Sequence, residues 1–128
     1  MGKISKSAGY RVPCDEMWKR IGDFRRMEWH PAVRRVETSE DGTSRRLITS
    51  DGAVLAESLI DSGSRHYTYR LEDGPVPVAG AVSTLRVRAQ NRGACVVEWE
   101  ANFTATGRAD EEAHSFISRI FQSGLNAL

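Results

Sequence analysis

The stretch Asp110-Glu111-Glu112-Ala113-His114-Ser115-Phe116-Ile117-Ser118-Arg119-Ile120-Phe121-Gln122-Ser123-Gly124-Leu125-Asn126-Ala127-Leu128 decides how the chain reads. Ala113, Phe116, Ile117, Ile120, Phe121, Gly124 and Leu128 recur at intervals of three and four, the spacing that lines one face of an α-helix. His114, Ser115, Ser118, Arg119, Gln122 and Ser123 fall on the other faces. Asp110 suits the cap, with Glu111 and Glu112 in the first turn, where the helix dipole favours negative charge. Such a helix spans roughly 27 Å at about 1.5 Å per residue. Its apolar stripe needs an equally long partner, and the sequence holds no second helix of that size. The partner is expected among strands upstream.

Those strands are legible as short apolar-polar alternations at 33–39, 45–49, 53–61, 65–71, 81–89 and 94–104. Glu40-Asp41-Gly42, Ser50-Asp51-Gly52, Asp61-Ser62-Gly63-Ser64 and the segments 72–80 and 90–93 punctuate them. Brief turns make neighbouring strands antiparallel. In the last strand Val97, Trp99, Ala101 and Phe103 share one face; before it Leu85 and Val87 oppose Thr84, Arg86 and Arg88. A three-residue turn at Asn91-Arg92-Gly93, with the glycine left-handed, sets Leu85 opposite Trp99 and Arg86 opposite Glu98. A slip of one residue would set Arg against Trp and bury charge. Tyr67, Tyr69 and Leu71 form another inward set.

Ahead of these strands, residues 3–12 predict a first strand ended by Pro13. A short helix is predicted over 14–24, with Met17, Trp18 and Ile21 on one face and Gly22 as a stop. A second helical turn over 25–29 must end before Pro31, which disfavours helix at His30. The whole is an α+β plan in the order β-α-α-β6-α: a curved antiparallel sheet of about seven strands wrapped around one long C-terminal helix.

The 128 residues suit one domain spanning 1–128, with enough chain to bury a core. A net charge of +1, with basic residues scattered in pairs such as Arg25-Arg26 and Arg34-Arg35, argues against a nucleic-acid or membrane-surface binder. Cys14 and Cys95 lack metal or redox spacing and read as free thiols of a reducing compartment. No apolar signal core, myristoylation pattern or membrane-length run is present, so a cytoplasmic protein is expected, a monomer or weak homodimer. Asn102-Phe103-Thr104 matches a glycosylation sequon by chance inside a strand. There is no HExxH, phosphate loop, GxSxG or Cys/His cluster, so neither metal nor cofactor is expected.

Two residues carry candidate chemistry. Glu57 shares a strand face with Leu55 and Leu59. If that face is inward, its carboxyl has a raised pKa and can donate a proton or hold a polar ligand group. If Val54, Ala56, Ser58 and Ile60 face inward, it is a solvated charge. A structural carboxylate paired to an Arg is the plainer reading. His30, between Trp29 and Pro31, can serve as acid or base near neutral pH, or can cap a turn and pack. Tyr67 and Tyr69 bring hydroxyls to an apolar wall, as ligand sites and plain cores both do.

The element order is that of a helix-grip fold. Asp15-Glu16-Met17-Trp18 with Ile21-Gly22-Asp23-Phe24, Trp29-His30-Pro31-Ala32-Val33, Asp51-Gly52 with Glu57-Ser58-Leu59 and Asp61, and Val97-Glu98-Trp99 with Phe103 together resemble the START/Bet v 1-like superfamily. The likeness is to its bacterial branch related to polyketide cyclases and dehydrases, and it covers nearly the whole chain. The resemblance implies a cavity between the concave sheet and the long helix, with 73–80 at its mouth. The Ser-Gly-Leu-Pro-Ala and His-Arg-Leu motifs of the abscisic-acid receptors are absent, so that ligand is not implied. The implied wall takes Trp29, His30, Leu55, Glu57, Leu59, Tyr67 and Tyr69, the lip residues Val76 and Pro77, and Leu85, Trp99 and Phe103. Phe116, Ile117, Ile120 and Phe121 complete it from the helix. Three functions follow: binding or transport of a small hydrophobic molecule in a cavity of a few hundred Å³, as ligand sites generally are; a cyclase or dehydratase using Glu57 or His30; or a co-chaperone-like interaction module.

Overall fold

Alternation along the two longest strands builds the sheet. In the computed structural model, which describes residues 2–105 and 110–128, Cys95, Val97, Trp99, Ala101 and Phe103 are buried on one face of the last strand. Ala81, Ser83, Leu85 and Val87 are buried beside them. The elements run β1 (Gly2–Tyr10), α1 (Cys14–Ile21), β2 (Val33–Thr38), β3 (Ser44–Thr49), β4 (Val54–Ser62), β5 (His66–Asp73), β6 (Val78–Asn91), β7 (Ala94–Ala105) and α2 (Asp110–Asn126). The strands form one antiparallel sheet in the order β1-β7-β6-β5-β4-β3-β2. Leu85 faces Trp99 and Arg86 faces Glu98, the register that keeps charge off the core. The outward Glu98 pairs with Arg88.

Three details differ from the sequence expectation. Asn91 pairs with Ala94, so the last hairpin turns on Arg92 and Gly93 alone, and Gly93 is not left-handed. Its N–H donates to the Asn91 side chain at 2.9 Å, and this Asx bond closes the turn instead. Residues 25–29 form no second helix. Phe24, Met27 and His30 are all buried, but on successive separate turns rather than on one helix. These are closed by Arg26 N–H to the Asp23 carbonyl at 2.9 Å and His30 N–H to the Met27 carbonyl at 3.0 Å. The third difference is the connector expected at 72–80, which shrinks to 74–77 because both flanking strands run further. Gly80, at φ +58°, sits in a bulge between Ala79 and Val82.

The long helix lies on the concave face, with Ala113, Ile117, Phe121, Gly124 and Leu125 buried. Asp110 is its first residue rather than its cap, and the cap position falls outside the described residues. Leu125 takes the buried place expected of Leu128, because the last turn tightens. There Ala127 N–H donates to the Gly124 carbonyl at 3.1 Å, and the Tyr10 hydroxyl donates to the Leu125 carbonyl at 2.5 Å. At Gly124 the helix backbone passes close to two buried rings. A Cβ there would lie 2.7 Å from a His30 ring carbon and 2.8 Å from a Trp99 ring carbon. Replacing Gly by Ala inside a helix gains up to about 1 kcal/mol. Overpacking against two buried rings costs about 1–3 kcal/mol. Gly124→Ala is therefore expected to lower the melting temperature despite the better helix former, which a thermal melt checks.

Candidate functional site

Between α2 and the concave sheet lies a cavity of about 110 Å³. That is narrower than the few hundred Å³ expected, because Trp99 and Phe121 stack inside the sheet–helix space at 4.3 Å between ring centroids. Its wall includes His30, Leu55, Glu57, Tyr69, Val76, Trp99, Phe116, Ile117, Ile120 and Phe121 from the expected set. Sequence reasoning missed Met27, Ala32, Val33, Leu47, Thr49, Leu71, Val78, Ala81 and Ser83. Strand parity carried a signal for several of these. Leu47 and Thr49 share a face with Arg45, and Ala81 and Ser83 share one with Leu85.

Six expected wall residues lie elsewhere. Leu85 and Phe103 are closed into the core. Phe103 packs beneath the start of β1, where a Cβ on Gly2 would meet its ring. Leu59 and Tyr67 border a separate groove beside Trp18 and His66. Trp29 forms a layer behind Trp99, with ring centroids 5.7 Å apart. Pro77 borders an outer groove with Pro75, Glu111, Ser115 and Arg119. Phe116 borders both that groove and the cavity, so the lip and the first turns of α2 stand between the cavity and solvent.

Glu57 does face inward, with Leu55 and Leu59 on its side of β4, while Val54 and Ile60 are exposed. Its partner is Arg45 on the neighbouring strand, register-paired with it and only 1% exposed. Arg45 Nε donates to Glu57 Oε1 at 2.8 Å, Nη2 lies 2.8 Å from the same oxygen, and Nη1 donates to the Phe24 carbonyl at 2.8 Å. The guanidinium also lies over Phe24, 4.2 Å from its ring centroid, and 4.9 Å from that of Tyr69. Burial alone would favour neutral arginine, but Glu57 beside it holds Arg45 above its ordinary pKa and charged. Burial pushes the Glu57 carboxyl above its ordinary value, and Arg45 offsets part of that rise. Glu57 Oε2 accepts no hydrogen bond among the described residues. Next to it, Tyr69 Oη accepts from Trp99 Nε1 at 3.0 Å, and burial pushes the Tyr69 hydroxyl well above its usual range.

His30 is a tie rather than a free acid or base. Ala32 N–H donates to Nδ1 at 3.1 Å, so Nε2 carries the proton and donates to the Ile120 carbonyl at 2.7 Å. Both ring nitrogens are thus committed to backbone, pinning the turn before β2 to the middle of α2. Burial lowers its pKa, and the bond to Ile120 offsets part of that effect. A histidine held neutral binds fewer protons folded than unfolded. Stability is expected to be full above about pH 6.5, the ordinary histidine value, and to fall as pH drops below it. Urea unfolding at several pH values checks this. His30→Gln should flatten that part of the profile.

Among the described residues no group of three or more His, Cys, Asp or Glu could hold a metal ion, and no helix is long and apolar enough to cross a membrane. Cys14 and Cys95 are buried free thiols. No curated protein matches the chain in sequence. Among solved structures, the protein XoxI from Bacillus cereus is 30% identical, with 99% of this chain and 92% of that chain covered at a TM-score of 0.96. An uncharacterised protein from Bacillus thuringiensis is likewise 30% identical, with 99% and 96% covered and a TM-score of 0.96. The Zhui aromatase/cyclase from Streptomyces sp. R1128, at 17% identity, covers 98% and 90% with a TM-score of 0.79 and shares the fold alone. The family described as polyketide cyclase / dehydrase and lipid transport matches residues 1–128. Its seven-stranded sheet gripping α2 has the fold of a START superfamily protein from Mycobacterium smegmatis, and the chain belongs to the polyketide cyclase / dehydrase and lipid transport family.

Proposed function

We propose that this protein binds and carries a small hydrophobic molecule, about the size of a single ring, in the cavity between the sheet and α2. The observation that carries the reading is the cavity itself: about 110 Å³, walled almost wholly by apolar side chains. A dry engineered cavity of about 150 Å³ lined by Leu, Ile and Phe takes up benzene. Sites for larger ligands run to about 300–1,000 Å³. A folded polyketide chain needs that larger space, so cyclisation is the second reading. Glu57, a cavity-wall carboxyl with a raised pKa, favours it as the remaining acid, since His30 is committed to backbone. The buried free thiols and net charge of +1 support a cytoplasmic protein without a nucleic-acid partner.

Native mass spectrometry of the full chain, purified without ligand stripping, tests this. An adduct of single-ring size, lost in Ala81→Leu, is the expected result. A retained long-chain ketide or its cyclised product would overturn the carrier reading in favour of the enzyme.

A further inference from the structure

We infer that the ligand this cavity selects is an uncharged molecule bearing a hydroxyl group, which donates to Glu57 and accepts from Tyr69. This rests on the reading of the cavity as a ligand site and adds the chemistry of its polar end. Glu57, Tyr69 and Ser83 are the wall residues concerned, on three adjacent strands. Tyr69 and Ser83 are directly paired across β5 and β6, and Glu57 stands opposite Leu71, two positions along from Tyr69. The three polar groups therefore form one patch on an otherwise apolar wall.

The hydrogen-bonding capacity of the patch is only half used. Both contacts from Arg45 fall on Glu57 Oε1, leaving Oε2 as an open acceptor. The Tyr69 hydroxyl accepts from Trp99, so its own proton is still free to be donated. The Ser83 hydroxyl, on a side chain buried to 6% exposure, makes no hydrogen bond among the described residues. An acceptor beside a donor matches one hydroxyl group, which gives one proton and takes another.

Charge decides against the alternatives. Arg45 already neutralises Glu57, so a bound ammonium would leave a net positive charge in an apolar enclosure. A bound carboxylate would set a second anion against Glu57. A purely apolar ligand would leave Glu57 Oε2, the Tyr69 proton and the Ser83 hydroxyl without a new partner, so it binds more weakly than one that carries a hydroxyl. A neutral hydroxyl satisfies the patch without adding charge.

Calorimetric titration of the full chain at neutral pH with toluene, phenol, benzylamine and benzoate separates the possibilities. Phenol is expected to bind at least about tenfold more tightly than toluene, with benzylamine and benzoate weaker than both. The phenol advantage should vanish in Arg45→Met/Glu57→Leu, which removes both charges together and leaves none uncompensated. Tyr69→Phe, which keeps the ring and removes only the donor, should reduce the advantage independently. Equal binding of toluene and phenol by the unaltered chain would overturn this inference while leaving the cavity reading standing. So would a preference for benzylamine or benzoate, or a phenol advantage that survives the double replacement. Binding of none of the four would overturn the cavity reading and this inference with it.

Discussion

Replacing Glu57 by alanine is expected to destabilise the protein by about 3–5 kcal/mol, because it leaves the Arg45 guanidinium buried without its counter-ion. Arg45 is 1% exposed, and the aromatic faces around it hold a charge they cannot neutralise. Its remaining contacts, a hydrogen bond to the Phe24 carbonyl and the neighbouring Tyr67 hydroxyl, are to neutral groups. Domains of this kind are stable by about 5–15 kcal/mol, so a single substitution removes much of the total. The pair as a whole behaves differently. Two buried charges lose in desolvation most of what they gain from each other, so Arg45→Met/Glu57→Leu is expected to be nearly neutral or stabilising. Urea unfolding of both variants gives the comparison. A double replacement as costly as Glu57→Ala would mean that the pair holds the fold together by more than charge compensation.

Trp99→Ala is expected to cost about 3–5 kcal/mol, the range for removing a large buried aromatic side chain. Trp99 is 1% exposed and joins four parts of the molecule. It stacks on Phe121 of α2 at 4.3 Å and 13°, meets His30 edge-on at 6.0 Å, lies 5.7 Å from Trp29, and donates to Tyr69. Trp99→Phe keeps the stack and removes the N–H, so its cost should be nearer the roughly 1 kcal/mol of one hydrogen bond plus the lost ring volume. The difference between the two variants measures how much of the sheet–helix grip is packing. A chemical denaturation series reads both.

Much of this was legible in the sequence because it rests on periodicity. The α2 stripe and the parity of β6 and β7 brought Leu85 to Trp99 and Arg86 to Glu98 without any structure. Parity alone could not settle β4. Leu55-Glu57-Leu59 and Val54-Ala56-Ser58-Ile60 are equally good inward sets until Arg45 is known to be buried as well. The sequence made a Glu57 carboxylate paired to an arginine the plainer reading, but it could not say which arginine, because unpaired core arginine is so costly that scattered Arg pairs read first as solvated faces. His30 was legible as a residue that could cap a turn, which its bond from Ala32 N–H does, but not as a tie to the helix, since its acceptor lies 90 residues away on α2. The wall was misjudged where large side chains had other places to go. Leu85 and Phe103 fill the core, and Tyr67 turns toward the α1 groove, whereas small residues such as Ala81 and Ser83 leave the space that is the cavity.

The central claim is that this space takes up a small apolar molecule, and a two-dimensional NMR titration of isotopically labelled full-length protein with toluene tests it most directly. Saturable shifts are predicted for cavity residues such as Leu55, Leu71, Ile117 and Ile120, with Ile60 on the outer sheet face unmoved. Non-saturating shifts, or shifts confined to the outer face, would contradict it.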